Sequence, residues 1–443
     1  MLSDTICAIA SGQINQAISI IRISGPNAFK IMEKIFLGKV GKSMEITFGW
    51  IHDDNQKIDQ VLVLWFAGNK NFVGEDTVEI NAHGGVLNTN LILELILKTK
   101  LARLANPGEF SLRAFLNGKI DLVKAQAIND LIHAEVKVQH QAALNQFLGK
   151  SSNFIKNLIE KIEEIIGIIE VNIDYPEYDD VEILTSDVLL PKINQLLAEF
   201  DQLIKIANNS RLIYQGIKTC LVGAPNSGKS SLLNILINEN KAIISEIPGT
   251  TRDVVEGNFV LDGLLFKLFD TAGIRKTTEK IEQIGIEKSY ESIKKADLIL
   301  HIIDASEKNR QNLDLKAKTR PDQIYLKIYN KSDLLENQEE FKDEILISAK
   351  YQKIENLLEK IKSIFAFLLG KNKEFVANSF QISQIELGKL AILDAKTSLE
   401  SGFGPEIAIV DLRIAWKELK TIFGRVDDEN LLDSIFSKFC LGK

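Results

Sequence analysis

A chain of 443 residues, 45% apolar and 26% charged, is long enough for two or three domains with cores of their own. Its 53 Lys and Arg against 60 Asp and Glu leave a formal charge of −7, so any RNA contact must be local or come from a partner. Cys7, Cys220 and Cys440 lie far apart without CxxC or Cys/His spacing, which argues against a disulfide framework or structural zinc and suits a reducing compartment.

Residues 1–118 mix short β-favouring runs with turn signals. Residues 18–23, 60–66 and 78–80 read as strands. Residues 27–37, with Phe29, Met32, Ile35 and Phe36 on one side, read as a helix. Together they predict an α+β domain. Arg22, Glu79 and His83 are polar residues set in apolar runs; a solvated face, a loop or a satisfied buried pair is their plainer reading. Pro107-Gly108 marks a turn, and a helix begins beyond it.

From Ile120 to about Leu212 the apolar spacing is helical. Ile162, Ile165, Ile166 and Ile169 repeat at i, i+3, i+4 and i+7, and Ile193, Leu196, Leu197, Phe200 and Ile204 continue the pattern. Pro176 and Pro191 are expected to interrupt it. Helical spacing resumes after Lys373 and runs to the end. Amphipathic helices must bury their stripes, so both flanks are expected in one discontinuous bundle, 119–214 with 373–443, around an inserted module at 215–372.

That module opens with a β-favouring run, 217–222, then Gly223-Ala224-Pro225-Asn226-Ser227-Gly228-Lys229-Ser230, then a helix-like run from Ser231. Strand, glycine loop and helix in this order make a phosphate cradle. Backbone N–H groups point at phosphate oxygens, and the helix N-terminus adds partial positive charge. Lys229 would reach the β- and γ-phosphates and the Ser230 hydroxyl would ligate Mg²⁺. Leu268-Phe269 read as an apolar strand ending in Asp270-Thr271-Ala272-Gly273, where Asp270 would hold the Mg²⁺ water shell. Residues 323–329 lead into Asn330-Lys331-Ser332-Asp333; the Asp333 carboxylate can accept from guanine N1–H and its amino group, which adenine cannot offer. Ser348-Ala349-Lys350 would contact guanine O6. The four signals in this order predict a doubly wound α/β P-loop GTPase domain.

No Gln stands after Gly273 to orient water, since Ile274 occupies that place. Thr251, in the polar loop 247–253, could give Mg²⁺ its second hydroxyl; Glu282 could polarise the water, and Arg252 and Arg275 could stabilise charge. Cys440 reads as an inert thiol near a frayed end or as a nucleophile able to add to uracil C6.

These residues resemble the MnmE (TrmE) family of tRNA modification GTPases over essentially the whole chain. The carriers are Pro107-Gly108-Glu109-Phe110 with residues 113–119, the inserted GTPase with Gly249-Thr250-Thr251-Arg252-Asp253, and the Cys440-Leu441-Gly442-Lys443 terminus. The resemblance implies an N-terminal homodimerising domain that binds 5-formyltetrahydrofolate through Arg22, Glu79, Lys119 and Lys443. It implies K⁺ held by Asn226 and the loop backbone at Ser245, Ile247 and Thr250, with Glu282 ordering the water. It extends the nucleotide contacts to Ser227, Gly228, Ser231, Glu246 and Pro248. It also implies the flavoprotein MnmG, carrying FAD, as a partner in adding an aminomethyl or carboxymethylaminomethyl group to C5 of the wobble uridine of certain tRNAs. Two departures stand out: residues 11–19 replace a glycine-rich loop and narrow the space beside a pterin, and Pro248 replaces a usual Ala. The rival from another class is a regulatory GTP switch or ribosome-assembly GTPase without tRNA chemistry. No apolar run reaches the ~20 residues that span a bilayer, and no signal-like N-terminus is present, so the cytoplasm is the expected location.

Overall fold

The structure, a computed structural model, describes residues 4–54, 56–174, 186–239, 255–269, 292–307, 319–335, 337, 339–369, 377–424, 436, 439 and 442. The chain divides into two compact units, Met1–Asn129 with Lys420–Lys443, and Asp130–Leu419. Residues beyond Lys420, expected in the helical bundle, thus group with the N-terminal unit.

The first unit is built on a seven-stranded sheet in the order β3-β4-β5-β6-β2-β1-β7. The strands are β1 (Ile6–Ile9), β2 (Ile18–Ser24), β3 (Phe36–Leu37), β4 (Glu45–Asp53), β5 (Gln56–Phe66), β6 (Thr77–His83) and β7 (Arg103–Leu104). Alternation sends Ile21, Ile23, Val61, Val63, Trp65, Val78 and Ile80 to one face. There they pack against α1 (Ala28–Ile35) and α2 (Val86–Lys98) through Ile31, Met32, Ile35, Ile92 and Ile96. The helix expected over 27–37 ends at Ile35. Phe36 and Leu37 instead pair with Ile51 and Trp50 of β4, where the Phe36 ring meets Trp65 edge-on at 6.1 Å. Across the sheet, Ile46, Phe48 and Leu62 stay exposed.

The turn at Pro107-Gly108 starts α3 (Glu109–Leu116), with Gly108 at φ +72°. A side chain on Gly108 would strike the Phe436 carbonyl. Phe436 and Phe439 pack with Leu122 and Ala125, which ties the C-terminal residues into this unit. The same unit holds an ionic network around Arg113, only 2% exposed. Its guanidinium binds Asp4 at 2.8 Å, Glu109 at 3.0 Å and Glu75 at 3.1 Å, and Arg103 closes on Glu109 at 2.6 Å. Burial alone would raise the proton affinity of Glu109. The Arg103 hydrogen bond, the Asn106 N–H and Arg113 outweigh it and hold the carboxyl below its usual range. Removing one partner from such a network strands the others without compensation. Arg113→Met is therefore expected to lower stability by about 3–5 kcal/mol, read as an earlier first transition in urea unfolding; an unshifted transition would contradict it.

The second unit joins helices to a six-stranded sheet. α4 (Leu122–His133) begins in the first unit and crosses its boundary at Asn129; beyond it come α5 (Lys137–Phe147), α6 (Lys150–Asp174) and α7 (Ser186–Gln215). Pro191 lies inside α7 and does not end it. It sits near the helix start, where losing its N–H removes one ladder bond. After α8 (Lys229–Glu239) and the sheet come α9 (Glu355–Phe365), α10 (Ser379–Glu400) and α11 (Pro405–Thr421). α10 lies against α7: Gly388 leaves room for the Phe200 ring, and Lys389 pairs with Asp201 at 2.6 Å. α10, which follows the module in sequence, thus packs on α7, which precedes it.

The sheet order is β13-β12-β11-β8-β10-β9. Its strands are β8 (Ile217–Val222), β9 (Val255–Leu261), β10 (Leu264–Phe269), β11 (Leu298–Asp304), β12 (Ile324–Asn330) and β13 (Ile345–Leu346). All pair in parallel except the β9–β10 hairpin. β8 and β11 at the centre are buried on both faces, as parallel strands covered by helices must be.

Candidate functional site

The carboxyl ends of β8, β11 and β12 carry the loops that matter, as expected of an open parallel sheet. β8 ends at Val222, the loop runs through Gly223–Gly228, and α8 begins at Lys229. Gly223 and Gly228 take φ +150° and +100°. A side chain on Gly223 would meet the Ile302 carbonyl, and one on Gly228 would meet the Asn330 amide. Both glycines are therefore required by close approach as well as by backbone conformation.

Asn330, buried at the end of β12, holds three segments together. Its Nδ2 donates to the Ser227 carbonyl at 2.8 Å, and its Oδ1 accepts from the Ala349 N–H at 2.9 Å. The phosphate loop is thus fastened to the loop after β13. Ser348 donates from its hydroxyl to Asp333 Oδ1 at 2.5 Å, and the Ser332 N–H donates to the Ile347 carbonyl at 3.0 Å. Asp333 is exposed, with its carboxylate oriented by that hydroxyl. Lys331, at φ +67°, sets its ammonium on Asp304 at the end of β11. Burial pushes the Asp304 carboxyl up, but Lys331 and the Ser306 hydroxyl and N–H bring it below its usual range. Lys350 lies over the Tyr351 ring at 5.2 Å.

Lys229 folds back so that Nζ donates to the carbonyls of Gly223 (2.9 Å) and Ala224 (2.7 Å), and burial lowers its proton affinity. The Ser227 Oγ is buried with no hydrogen-bond partner among the described residues. An orphaned hydroxyl and an ammonium resting on its own loop, inside a cradle that admits no Cβ, fit a phosphate-bearing ligand. Asn226 is exposed at φ +62°, and Ser230 and Ser231 are exposed at the start of α8.

In the first unit the structure brings Arg22 and Glu79 together as a cross-strand pair, 2.7 Å apart. Arg22 also donates to the Gly442 carbonyl at 3.1 Å and lies 5.4 Å from the centre of the Phe110 ring. Lys119 donates to the Asn69 carbonyl. His83 is a satisfied pair: Asp59 holds Nδ1 at 2.6 Å and the His83 N–H at 2.9 Å. Both Cys7 and Cys220 are buried thiols pushed up to about 12, and so are inert.

Ser245–Thr251, Asp270–Gly273, Arg252, Arg275, Glu282, Cys440 and Lys443 lie outside the described residues. Sequence reasoning misses Asp304, the acceptor for Lys331. Its signal is present: residues 298–304 are an apolar run ending in Asp, the same pattern as the run that ends at Asp270.

A family model described as the MnmE helical domain matches residues 122–440, and one described as the GTP-binding protein TrmE N-terminus matches residues 5–119. The tRNA modification GTPase MnmE of Mesomycoplasma hyopneumoniae (strain 232) is 99% identical over 443 residues, all of both chains. The protein of that name from Mycoplasmopsis pulmonis is 50% identical over 442 residues, covering 99% of this chain and 100% of its own. That from Clostridioides difficile is 41% identical over 460 residues, covering 100% of both. With likeness of this extent over both its N-terminal part and the phosphate-loop unit, the chain belongs to the MnmE family of tRNA modification GTPases.

Proposed function

We propose that the chain hydrolyses GTP and, with the flavoprotein MnmG, builds the 5-carboxymethylaminomethyl or aminomethyl group on the wobble uridine, position 34, of certain tRNAs. The observation that carries the nucleotide part is Asn330, whose two hydrogen bonds fasten the phosphate loop to the base-reading loop. Phosphates and base are then held at a fixed separation before any ligand arrives.

Each residue has a chemical task. Ser227, Gly228, Lys229, Ser230 and Ser231 surround the phosphates, with Lys229 leaving the Gly223 and Ala224 carbonyls to meet the β- and γ-oxygens. Asp333, held by Ser348, reads guanine; Asn330, Lys331, Ala349 and Lys350 shape the pocket around the base. Ser230 and Thr251 would hold Mg²⁺, which supplies charge neutralisation between the β- and γ-phosphates. Asn226, with the backbone of Ser245, Ile247 and Thr250, would hold K⁺, which supplies the positive charge that an arginine finger gives elsewhere. Glu282 would orient the attacking water, Glu246, Pro248 and Gly249 would line the loop over the γ-phosphate, and Asp270–Gly273 would close below it. Cys440 would be the nucleophile toward uracil C6. Arg22, Glu79, Lys119 and Lys443 are assigned to a formyl-tetrahydrofolate. The described groups among these are satisfied by Gly442, Asn69 and one another, so a folate would have to displace those contacts, and no step is derived through it.

A homodimer is supported by the sheet face of the first unit, where Ile46, Phe48 and Leu62 remain exposed on neighbouring strands. No helix of the described residues is long and apolar enough to cross a membrane, and the proposed location is the cytoplasm, where tRNA is met. The test is steady-state GTP hydrolysis in matched KCl and NaCl. The expected result is at least about tenfold faster turnover in K⁺, the factor that ~1.4 kcal/mol of transition-state stabilisation gives. Equal rates would remove K⁺ from the mechanism.

A further inference from the structure

Asp304 belongs to none of the motifs that cradle phosphate or read the base. It is the last residue of β11 and the register partner of Asn330, the last residue of β12. The Ala305 N–H donates to the Asn330 carbonyl at 2.9 Å, so the two strand ends stay joined. Asp304 Oδ1 accepts from the Ser306 N–H at 3.0 Å and from the Ser306 hydroxyl at 2.6 Å, which leaves Oδ2 for the Lys331 ammonium. The Asp304 side chain is 9% exposed and that of Lys331 32%. Ile303 and Ala305, on either side of Asp304, pack with Tyr329 and Phe341 in a small apolar cluster, so the carboxylate stands on well-packed chain.

The lysine end of the pair is the strained one. Lys331 takes φ +67°, a conformation that Gly or Asn adopts readily and that costs a long side chain more. A loop that needed the turn alone would be served by either of those residues. Keeping a lysine there points to a task for its side chain. Of Lys229, Lys331 and Lys350, Lys331 alone pairs with a carboxylate among the described residues. Lys229 rests on the Gly223 and Ala224 carbonyls, and Lys350 lies over the Tyr351 ring. A partly exposed ion pair adds little to stability, so holding the fold together is a poor account of this one. What the pair does is fix a long flexible stem at both ends. The stem leaves the loop between Asn330 and Asp333 and ends on the neighbouring strand.

We infer that Asp304 is a positioning residue for the purine base: its ion pair holds the Lys331 stem extended, so that the methylenes form a fixed wall for one face of the ring. This inference rests on the base-reading role proposed above for residues 330–333. Asp333 reads the edge of guanine that carries N1–H and the amino group. A flat ring also needs its faces covered, and methylenes cover them whatever substituents the ring carries. The freedom that Lys331 would lose on meeting the base is removed before the ligand arrives. Asp304 therefore governs affinity for purine nucleotides in general and leaves the choice among them to Asp333. The base takes no part in phosphoryl transfer, so the effect is the same in the bound complex and in the transition state.

The test measures Kd for GTP, GDP, ITP and 2′-deoxy-GTP, with KM and kcat for GTP hydrolysis. It compares the unaltered chain with Asp304→Ala, Asp304→Asn, Lys331→Ala and Asp304→Ala/Lys331→Ala. Asp304→Ala is expected to weaken every one of these nucleotides by a common factor of about tenfold, raising KM without lowering kcat. Ser306 is exposed, so water can replace the carboxylate there. Asp304→Asn keeps an acceptor for Ser306 but loses the charge; it should weaken binding less, and it carries the test if the Ala chain does not fold. The double variant should bind as Lys331→Ala does, because a residue acting only through Lys331 then has nothing to position. Losses that multiply in the double variant overturn the inference. So does a loss absent with 2′-deoxy-GTP, which would make Asp304 a ribose ligand, or one absent with ITP, which would make it a reader of the amino group. A fall in kcat at unchanged KM overturns it too. Unchanged affinity in both single Asp304 variants overturns the positioning role and leaves the base-reading loop standing. An unaltered chain that binds ATP as tightly as GTP removes that loop's role and the inference with it.

Discussion

Asp333→Asn is expected to lower GTP affinity by about tenfold to 100-fold, the ~1.5–3 kcal/mol that a hydrogen bond to a charged group contributes. Guanine presents two donors, N1–H and the exocyclic amino group, to the carboxylate. An asparagine keeps one acceptor oxygen but turns a second donor toward the base, so one hydrogen bond becomes a clash of donors. Ser348 donates to Asp333 Oδ1 at 2.5 Å, which fixes the orientation of the group and limits its means of escape by rotation. Xanthine, with a carbonyl in place of the amino group, should suit the variant better than guanine does. Calorimetric titration with GTP and XTP checks both halves. Unchanged GTP affinity would mean that Asp333 does not read the base.

Lys229→Ala is the second large effect. Its ammonium rests on the Gly223 and Ala224 carbonyls, so removal leaves two loop carbonyls that water can satisfy, and the fold should survive. The loss falls on the developing charge of the transferring phosphoryl group. Removing one such electrostatic donor costs about 10²–10³ in turnover. Single-turnover hydrolysis alongside a far-ultraviolet circular dichroism spectrum separates the two effects. Rapid hydrolysis by a well-folded variant would place the phosphates elsewhere.

The legible part of the sequence is local. The phosphate loop, Asn330-Lys331-Ser332-Asp333 and Ser348-Ala349-Lys350 each sit on a single turn beyond the end of a strand, and the structure gathers them at one end of one sheet. Alternation reveals the strands at 18–24, 56–66 and 77–83, though it places their ends too short. Long-range features stay hidden. Asn330 looks like a base-loop residue, and its bonds to Ser227 and Ala349 join positions 103 and 19 residues away. The pairing of Arg22 with the Gly442 carbonyl spans 420 residues, and no periodicity announces it. β11 is hard to read because a strand buried on both faces shows no alternation. The spacing of Phe36 with Met32 and Ile35 suggests a helix, whereas the neighbouring strand β4 offers it a ladder and the Trp65 ring. Pro191 has the character of a breaker, yet α7 runs on through it with one ladder bond forfeited.

The most direct measurement is reconstitution of the modification itself. Purified chain, MnmG, GTP, K⁺, the one-carbon donor and unmodified tRNA are incubated together, and the nucleosides are resolved by mass spectrometry. The account predicts aminomethyl-type mass added at C5 of the wobble uridine only when chain and flavoprotein are both present, and only with hydrolysable GTP. GTP turnover without any change in the uridine, or modification that proceeds in the absence of this chain, would contradict it.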